Sequence, residues 1–352
     1  MKLIYHKSLD GVRAIAALMV MVFHFFSGTN LPGSEWMFLK KIAVFGQTGV
    51  TLFFVLSGFL ITRILLESKS LDGYFKNFYF RRVFRIFPLY YFFLLIFYFG
   101  YPVIFGAAST PFNQQFFYYT YLQNFATTFH WNAIGPDHFW SLAVEEHFYL
   151  FWPFVVYFLT NKQLLYVIIG IVLGALALRV YMLTEHFDVF YFTFTRFDAL
   201  AIGALLSLLE IKSVFTSFNA RKFLFVFVGV LIPTIAIWTF VSGTANVFIQ
   251  VIKYLLLAIA YFGLIGYVLC LKKEHPIGFF TSSKFMVFTG KISYGLYVYH
   301  PFAYRFTKVY IYTGHWMVEL ILGFCLTYLI AWLSFQWLES PFLKLKKHFT
   351  FG

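Results

Sequence analysis

Long apolar runs alternate with short polar segments along all 352 residues of this chain. A run of about 20 apolar residues matches the length that an α-helix needs to cross a bilayer. The pattern predicts ten helices, over residues 12–27, 44–66, 86–105, 138–159, 163–183, 190–210, 222–241, 247–271, 290–312 and 317–338. The two long loops are 27–43 and 106–137, and the segment 275–289 is predicted as either a loop or an interfacial segment. We therefore expect an all-α, polytopic membrane protein with about ten transmembrane helices.

The composition excludes the ordinary soluble classes. Hydrophobic residues make up 61% of the chain and charged residues 12%, whereas soluble domains carry about 25% charged residues. The residues outside the predicted spans suffice for loops but for no sizeable second domain. We expect one integral-membrane domain over 1–352, with no fused extracytoplasmic domain. Cys270 and Cys325 lie in apolar runs without C-x-x-C or zinc spacing, so we expect neither a disulfide framework nor a metal site.

The net charge of +13 has two interpretations, a nucleic-acid partner or an excess of cytoplasmic Lys and Arg. Ten spans place both termini on the same side of the membrane. All but seven of the 27 Lys and Arg residues fall on that side, the exceptions being Lys40, Lys41, Arg179, Arg196, Lys253, Arg305 and Lys308. This bias predicts cytoplasmic termini in a multi-pass protein of the cell (inner) membrane. It explains the charge without nucleic acid.

The first predicted span contains two ionisable residues, Arg13 and His24. Eleven residues separate them, so at about 100° per residue both lie on one face of the helix, about 16 Å apart along its axis. Ionisable groups inside spans are costly and therefore indicate function. The alternatives are an interfacial histidine that caps or snorkels, and an arginine that anchors the helix at the headgroups.

The fourth predicted span opens with a dense group of ionisable residues, His138-Phe-Trp-Ser-Leu-Ala-Val-Glu-Glu-His147. Ser141 and Glu145 are four residues apart and share a face, at a depth that matches His24. We expect Glu145 to orient His24 as a general base, with Ser141 as a hydrogen-bonding neighbour. Glu146 is rotated by about 100° and is expected to be a second-layer or packing partner. The alternative is an ion pair that merely joins two helices.

A second cluster, Arg81, Arg82 and Arg85, precedes Pro88 on the predicted cytoplasmic side. Residues three and four apart crowd their guanidinium groups into one helical sector. Such crowding is unfavourable without anions. Phosphate groups held by arginine forks and anionic lipid headgroups both fit.

Weaker signals receive structural interpretations. Arg196 and Asp198 are expected to form a local ion pair. Tyr294, Tyr297 and His300 in the ninth span are a further weak signal, and the tyrosine stripe is expected to be packing. Glycines in apolar runs predict close helix contacts, at Gly46, Gly49, Gly58, Gly170 and Gly174.

Six motifs occur in a fixed order along the chain: LDGVRAIAALMVMVFH (9–24), GVTLFFVLSGFLIT (49–62), RRVFRIFPLYY (81–91), HFWSLAVEEHFYLFWP (138–153), RFDALAIGALLS (196–207) and KISYGLYVYHPF (291–302). Together they resemble the membrane-bound acyltransferase family 3. The resemblance spans essentially the whole chain.

The resemblance implies a ten-span enzyme that takes an acyl group, commonly acetyl, from cytoplasmic acyl-coenzyme A, which is a substrate and no tightly bound cofactor. The acceptor is then a hydroxyl of an extracytoplasmic carbohydrate or cell-surface glycan. The essential arginine and histidine of the family match Arg13 and His24, its R-x-x-R pair matches Arg82 and Arg85, and its S-x-x-x-E motif matches Ser141 and Glu145.

These assignments predict one path through the bilayer. Coenzyme A phosphates would stay near Arg82 and Arg85, with Arg81 as a further candidate contact, while the pantetheine arm passes Arg13 and brings the thioester to His24. The acceptor would enter near Ser141, Glu145 and the 106–137 loop. Two other classes stay open: a transporter or exporter of a lipid-linked or small acidic compound, which should show inverted repeats, and a structural membrane partner.

Overall fold

A computed structural model describes residues 5–29, 36–106, 108–240, 246–311 and 313–350 of the chain. Within these ranges the regular structure is entirely helical. The α-helices are α1 Lys7–Ser27, α2 Met37–Val44, α3 Gly49–Ser68, α4 Tyr74–Leu95, α5 Tyr101–Phe105, α6 Phe112–Tyr119, α7 Gln123–Thr128, α8 Trp140–Phe158, α9 Asn161–Thr184, α10 Phe197–Ile211, α11 Ala220–Phe240, α12 Val247–Cys270, α13 Pro276–Thr281, α14 Lys284–Lys291, α15 Ser293–Tyr310, α16 Trp316–Ser334 and α17 Ser340–Leu345. The prediction of an all-α protein is confirmed.

Short non-α segments join several of these helices into longer rods. A 3₁₀ turn, Phe45–Thr48, connects α2 to α3. Two π-helical segments, Ile96–Gly100 and Phe335–Glu339, connect α4 to α5 and α16 to α17. Such π segments re-aim the following turn without ending the helix.

Seven helical stretches in the described part of the chain are long and apolar enough to cross a membrane, Lys7–Ser27, Met37–Ser68, Tyr74–Ile104, Asn161–Thr184, Ala220–Ile237, Val247–Cys270 and Trp316–His348. Three other predicted spans correspond to α8, α10 and α15, which fall outside this set. Helix α10 has only 15 residues, and α8 and α15 carry polar residues such as Glu145, Glu146 and His300. Ten spans and cytoplasmic termini therefore stay predictions.

Several predicted boundaries are wrong. The predicted loop 27–43 contains most of α2, and the loop 106–137 contains α6 and α7. These helices are short, so their periodic signal is weak. Residues 190–196, predicted as helical, precede α10 as a non-helical segment, and the predicted helix 290–312 is divided at Ile292. Residues 30–35, 241 and 312, which fall in predicted elements, and Lys2 of the charge count lie outside the described residues.

Glycines set the closest helix contacts around α1 and α3. A Cβ built on Gly58 of α3 would overlap the backbone carbonyl of Leu200 in α10, and one on Gly46 would overlap that of Met19 in α1. A Cβ on Gly49 would likewise approach the Ala16 carbonyl of α1. The predicted close contacts at these three glycines are confirmed. The prediction is wrong for two others, since open space surrounds the positions of a Cβ at Gly170 and Gly174.

A buried ion pair joins α9 to α10, but with a different arginine from the predicted one. The partner of Asp198 is Arg179, which is fully buried and also donates to the Thr195 carbonyl. Arg196 instead donates to Thr51 (3.0 Å) and lies 4.1 Å from the centre of the Tyr254 ring. The local Arg196–Asp198 pair is therefore a wrong prediction, because the side chains two residues apart point away from each other.

Candidate functional site

A polar cavity of about 100 Å³ lies between α1, α3, α4, α8 and α15. We call it the arginine cavity. Its lining residues are Arg13, Val50, Phe53, Phe54, Ser57, Arg82, Arg85, Ile86, Ser141, Leu142, Glu145, Glu146, Tyr149, Ser293, Tyr294 and Tyr297. The structure thus brings together the arginines of two predicted clusters and the Ser–Glu pair of a third.

Three guanidinium groups face the arginine cavity. Arg13 pairs with Asp10 across one helical turn at 3.1 Å, and Arg82 lies 5.4 Å from the centre of the Tyr149 ring. Lys346, near the end of the chain, lies close enough to Arg13, Arg82 and Arg85 for electrostatic repulsion. Positive charge therefore converges at this end of the cavity, which suits a phosphorylated ligand.

Arg81 takes a different direction from its neighbour Arg82. Its guanidinium donates to the backbone carbonyls of Phe349 (3.1 Å) and Lys346 (3.5 Å), and it does not line the arginine cavity. One residue of rotation, about 100°, separates the two side chains on α4. Arg81 therefore fastens the C-terminal segment to α4.

Glu145 belongs to the arginine cavity. Ser57 donates to one carboxylate oxygen at 2.8 Å, and Tyr149 donates to the other at 3.1 Å. Glu146 lines the same cavity instead of facing away, and one of its oxygens is buried without a hydrogen-bond partner. Glu146 was expected to be a second-layer or packing partner, but both adjacent carboxylates line the arginine cavity.

Ser141 is held by Tyr297 of α15. The two hydroxyl oxygens are 2.6 Å apart, and the Tyr297 hydroxyl donates to the backbone carbonyl of His138, also at 2.6 Å. Since the Tyr297 proton is directed to that carbonyl, Ser141 donates to Tyr297. This network fixes Tyr297 across the space between α8 and α15.

A second cavity of about 390 Å³ contains His24, and we call it the histidine cavity. It is lined by Val20, Phe23, His24, Gln47, Val50, Asp137, His138, Trp140, Asp188, Phe190, Tyr191, Gln250, Lys253, Tyr254 and Tyr297. Aromatic rings thus surround a small set of carboxylates, amides and imidazoles. Asp137 precedes α8, and partial burial raises the pKa of its carboxyl.

The structure does not bring His24 and Glu145 together. Nδ1 of His24 lies 3.1 Å from the Val20 carbonyl and 3.0 Å from Nε2 of His300, while Glu145 is bonded within the arginine cavity. The predicted His24–Glu145 pair is therefore replaced by a His24–His300 pair. Matched depth in two helices does not fix their rotation, and rotation decides which side chains meet.

The two cavities adjoin each other. Val50 and Tyr297 line both. Arg13 lines the first cavity and His24 the second, so the common face of α1 serves two chambers where one continuous tunnel was predicted. Ser141 and Glu145, expected at the acceptor entrance, lie in the arginine cavity.

Two residues of α15 that were only weak signals in the sequence, Tyr297 and His300, belong to the candidate site. Tyr297 forms the shared wall, and His300, which is fully buried, contacts His24. An ionisable residue inside an apolar helix is the signal that applied to His300. Its setting among aromatic residues concealed that signal.

Comparison with known proteins agrees with the motifs. Residues 6–335 match the family described as an acyltransferase domain. The peptidoglycan O-acetyltransferase OatA of Listeria monocytogenes is 31% identical over 97% of this chain and 56% of its own length. The O-acetyltransferase OatA of Staphylococcus aureus is 27% identical over 97% of this chain and 57% of its own length.

A putative O-acetyltransferase of Staphylococcus aureus, SAS0844, is likewise 27% identical, over 97% of this chain and 58% of its own length. The chain therefore spans a little over half the length of these curated relatives. No solved structure matches it. The match over nearly the whole chain shows that this all-helical membrane protein belongs to the acyltransferase-domain family to which the motifs pointed.

Proposed function

We propose that the chain is an O-acyltransferase of the cell membrane that carries an acetyl group from acyl-coenzyme A, on the side of its termini, to a carbohydrate hydroxyl on the opposite side. The observation that carries this proposal is the pair of adjoining cavities, one rich in arginine and one containing an imidazole. The names of two relatives, which specify O-acetyl transfer and in one case peptidoglycan, supply the acetyl group and the class of acceptor.

The arginine cavity is the donor site in this proposal. Coenzyme A carries a diphosphate and a ribose phosphate, so its charge complements Arg82 and Arg85, with Lys346 nearby. Guanidinium groups bind phosphate through paired, charge-assisted hydrogen bonds. The aromatic side chains that line the same cavity suit the thinner and less polar pantetheine arm. Arg81 is left out of the donor site because its hydrogen bonds are made with the C-terminal segment.

The histidine cavity is the acceptor site. Sugar rings stack their apolar faces on aromatic side chains and bond their hydroxyls to carboxylates and amides. Trp140 and Tyr254 provide such faces, and Asp137, Asp188 and Gln250 provide such polar groups. The acceptor therefore binds in the cavity that contains His24, and not near Ser141 and Glu145 as the sequence suggested.

His24 is the general base of the proposed reaction. Its Nε2 removes the proton from the acceptor hydroxyl as the hydroxyl oxygen attacks the thioester carbonyl carbon. The carbon–sulfur bond then breaks, and the coenzyme A thiolate takes up the proton. An ester and free coenzyme A result, so atoms and charge balance without another reactant. The thioester would lie at the wall formed by Val50 and Tyr297, which requires the Tyr297 side chain to move.

The proposal is tested with purified protein in nanodiscs, supplied with radiolabelled acetyl-coenzyme A and a soluble peptidoglycan oligosaccharide. We expect acetylated oligosaccharide by mass spectrometry and one free thiol for each ester formed. The His24→Gln variant should form both about 10²- to 10⁴-fold more slowly. Uptake of the oligosaccharide into proteoliposomes that contain the protein, without ester formation, would instead support the transporter hypothesis.

A further inference from the structure

We propose that His300 is a positioning residue that fixes the proton of His24 on Nδ1 and thereby leaves Nε2 free to act as the base. The role of Nε2 as the base rests on the proposed function. The position of the proton on Nδ1 does not depend on that function. It depends on which atoms face the two imidazole rings.

The backbone of α15 determines the tautomer of His300. Its Nδ1 lies 2.8 Å from the Tyr297 carbonyl oxygen and 3.1 Å from that of Leu296. Carbonyl oxygens only accept hydrogen bonds, so Nδ1 must carry a proton. In neutral His300, Nε2 then carries no proton and presents a lone pair. The residue is fully buried, so water does not compete for this position.

The tautomer of His24 follows from its neighbours. Nδ1 of His24 faces the Nε2 lone pair of His300 at 3.0 Å and the Val20 carbonyl at 3.1 Å. Two acceptors on one side of the ring place the proton on Nδ1, because the other tautomer would oppose lone pairs. The other ring nitrogen, Nε2, is then unprotonated in the ring that lines the histidine cavity.

His138 supports the pair without taking part in it. Its Nε2 donates to the Val298 carbonyl at 3.1 Å, and its ring centre lies 5.6 Å from that of His300. It therefore packs beside His300. In a Ser-His-Asp triad, an outer group holds the base in the required tautomer. Here His300, as a neutral imidazole, takes that outer position.

The experiment compares three variants, two at His300 and one at His147. His300→Leu removes the acceptor and keeps an apolar side chain at the buried position, while His300→Gln retains an acceptor oxygen of similar reach. The matched control is His147→Leu, because His147 bonds to Thr193 at 2.9 Å and lines neither cavity. Nitrogen-15 spectra of histidine-labelled protein report the tautomer, with the His24 signals identified by their loss in His24→Gln.

We expect wild-type His24 to be protonated on Nδ1. His300→Leu leaves the Val20 carbonyl as the one remaining acceptor described for Nδ1, so the Nε2-protonated fraction of His24 should rise. The same variant should lower kcat at least about tenfold while the KM for acetyl-coenzyme A stays unchanged. His300→Gln should restore most of both properties, and His147→Leu should keep them. An Nε2-protonated His24 in the wild type, or an unchanged tautomer in His300→Leu, overturns the inference. A protein with the expected tautomers but no acyl transfer would instead overturn the proposed function.

Discussion

Replacing Arg82 and Arg85 by Gln is the perturbation that separates donor binding from a general effect of charge. Both side chains line the arginine cavity, and each would contact phosphate in the proposed complex. A hydrogen bond to a charged group contributes about 1.5–3 kcal/mol. Since about 1.4 kcal/mol corresponds to a tenfold change, each substitution should weaken donor binding about 10- to 150-fold.

Arg221→Gln is the matched control for these variants. It removes the same charge from an exposed guanidinium at the start of α11, outside the arginine cavity. Arg81 does not serve as a control, because it holds the segment that carries Lys346. Donor affinity is measured by isothermal titration with a non-hydrolysable acetyl-coenzyme A analogue in nanodiscs of uncharged lipid, at two salt concentrations. We expect the control to bind within about threefold of the wild type, because surface charges are largely screened at these concentrations.

Salt dependence adds a second criterion. The wild type should bind the analogue more weakly at high salt, and the Arg82→Gln/Arg85→Gln variant should lose most of that dependence. Equal weakening by Arg221→Gln would refute the reasoning, because then only the net charge matters. Unchanged affinity in the double variant would assign these arginines to lipid headgroups, and a donor site elsewhere would be required.

Three further predictions concern catalysis and stability. His24→Gln should lower kcat about 10²- to 10⁴-fold, as measured by steady-state kinetics. Donor affinity in titration should stay nearly unchanged, because the phosphates bind in the arginine cavity and only the acyl end reaches His24; a parallel loss of donor affinity would contradict that placement. Gly58→Ala should destabilise the protein by about 1–3 kcal/mol in thermal unfolding, since the added Cβ meets the Leu200 backbone. Gly170→Ala, where open space surrounds the Cβ, should be neutral or slightly stabilising. Equal melting temperatures of the two variants would refute the close contact at Gly58. Arg179→Leu should lower the free energy of unfolding by about 3–5 kcal/mol, because it leaves buried Asp198 unpaired, and Arg179→Leu/Asp198→Leu should recover much of that loss. A double variant as unstable as the single one would count against the ion pair.

The sequence predicted the helical architecture because membrane spans are set by one strong signal, the length of an apolar run. The same signal failed for α6 and α7, each of which is too short to show a period. The prediction of close contacts from glycines failed at Gly170 and Gly174, since a glycine in an apolar helix does not reveal which face meets a neighbour. Partner choice across helices, as in Arg179 with Asp198, requires the rotation of both helices.

The residues of the site were better predicted than their pairings. Arg13, Arg82, Arg85, Ser141 and Glu145 share one cavity, although Ser141 and Glu145 were expected at the acceptor entrance. Depth alone suggested that His24 would meet Glu145, because rise per residue can be calculated along each helix while the angle between helices cannot. That angle directs His24 towards α15.

His300 and Tyr297 were missed for a related reason. In α15 they stand among many aromatic residues, and such a stripe usually packs a core. Only the close approach of α15 to α1 gives His300 a partner in His24, at 3.0 Å. A histidine inside an apolar helix is therefore better treated as a site residue than as packing.

The central claim is that one donor reaches from the arginine cavity to His24 past the wall of Val50 and Tyr297. A cryo-electron microscopy structure with a non-hydrolysable acetyl-coenzyme A analogue tests it most directly. We expect phosphates within hydrogen-bond distance of Arg82 and Arg85, a displaced Tyr297 side chain, and the acyl end beside Nε2 of His24. An acyl end that faces lipid, or that lies more than a side-chain length from His24, would contradict it.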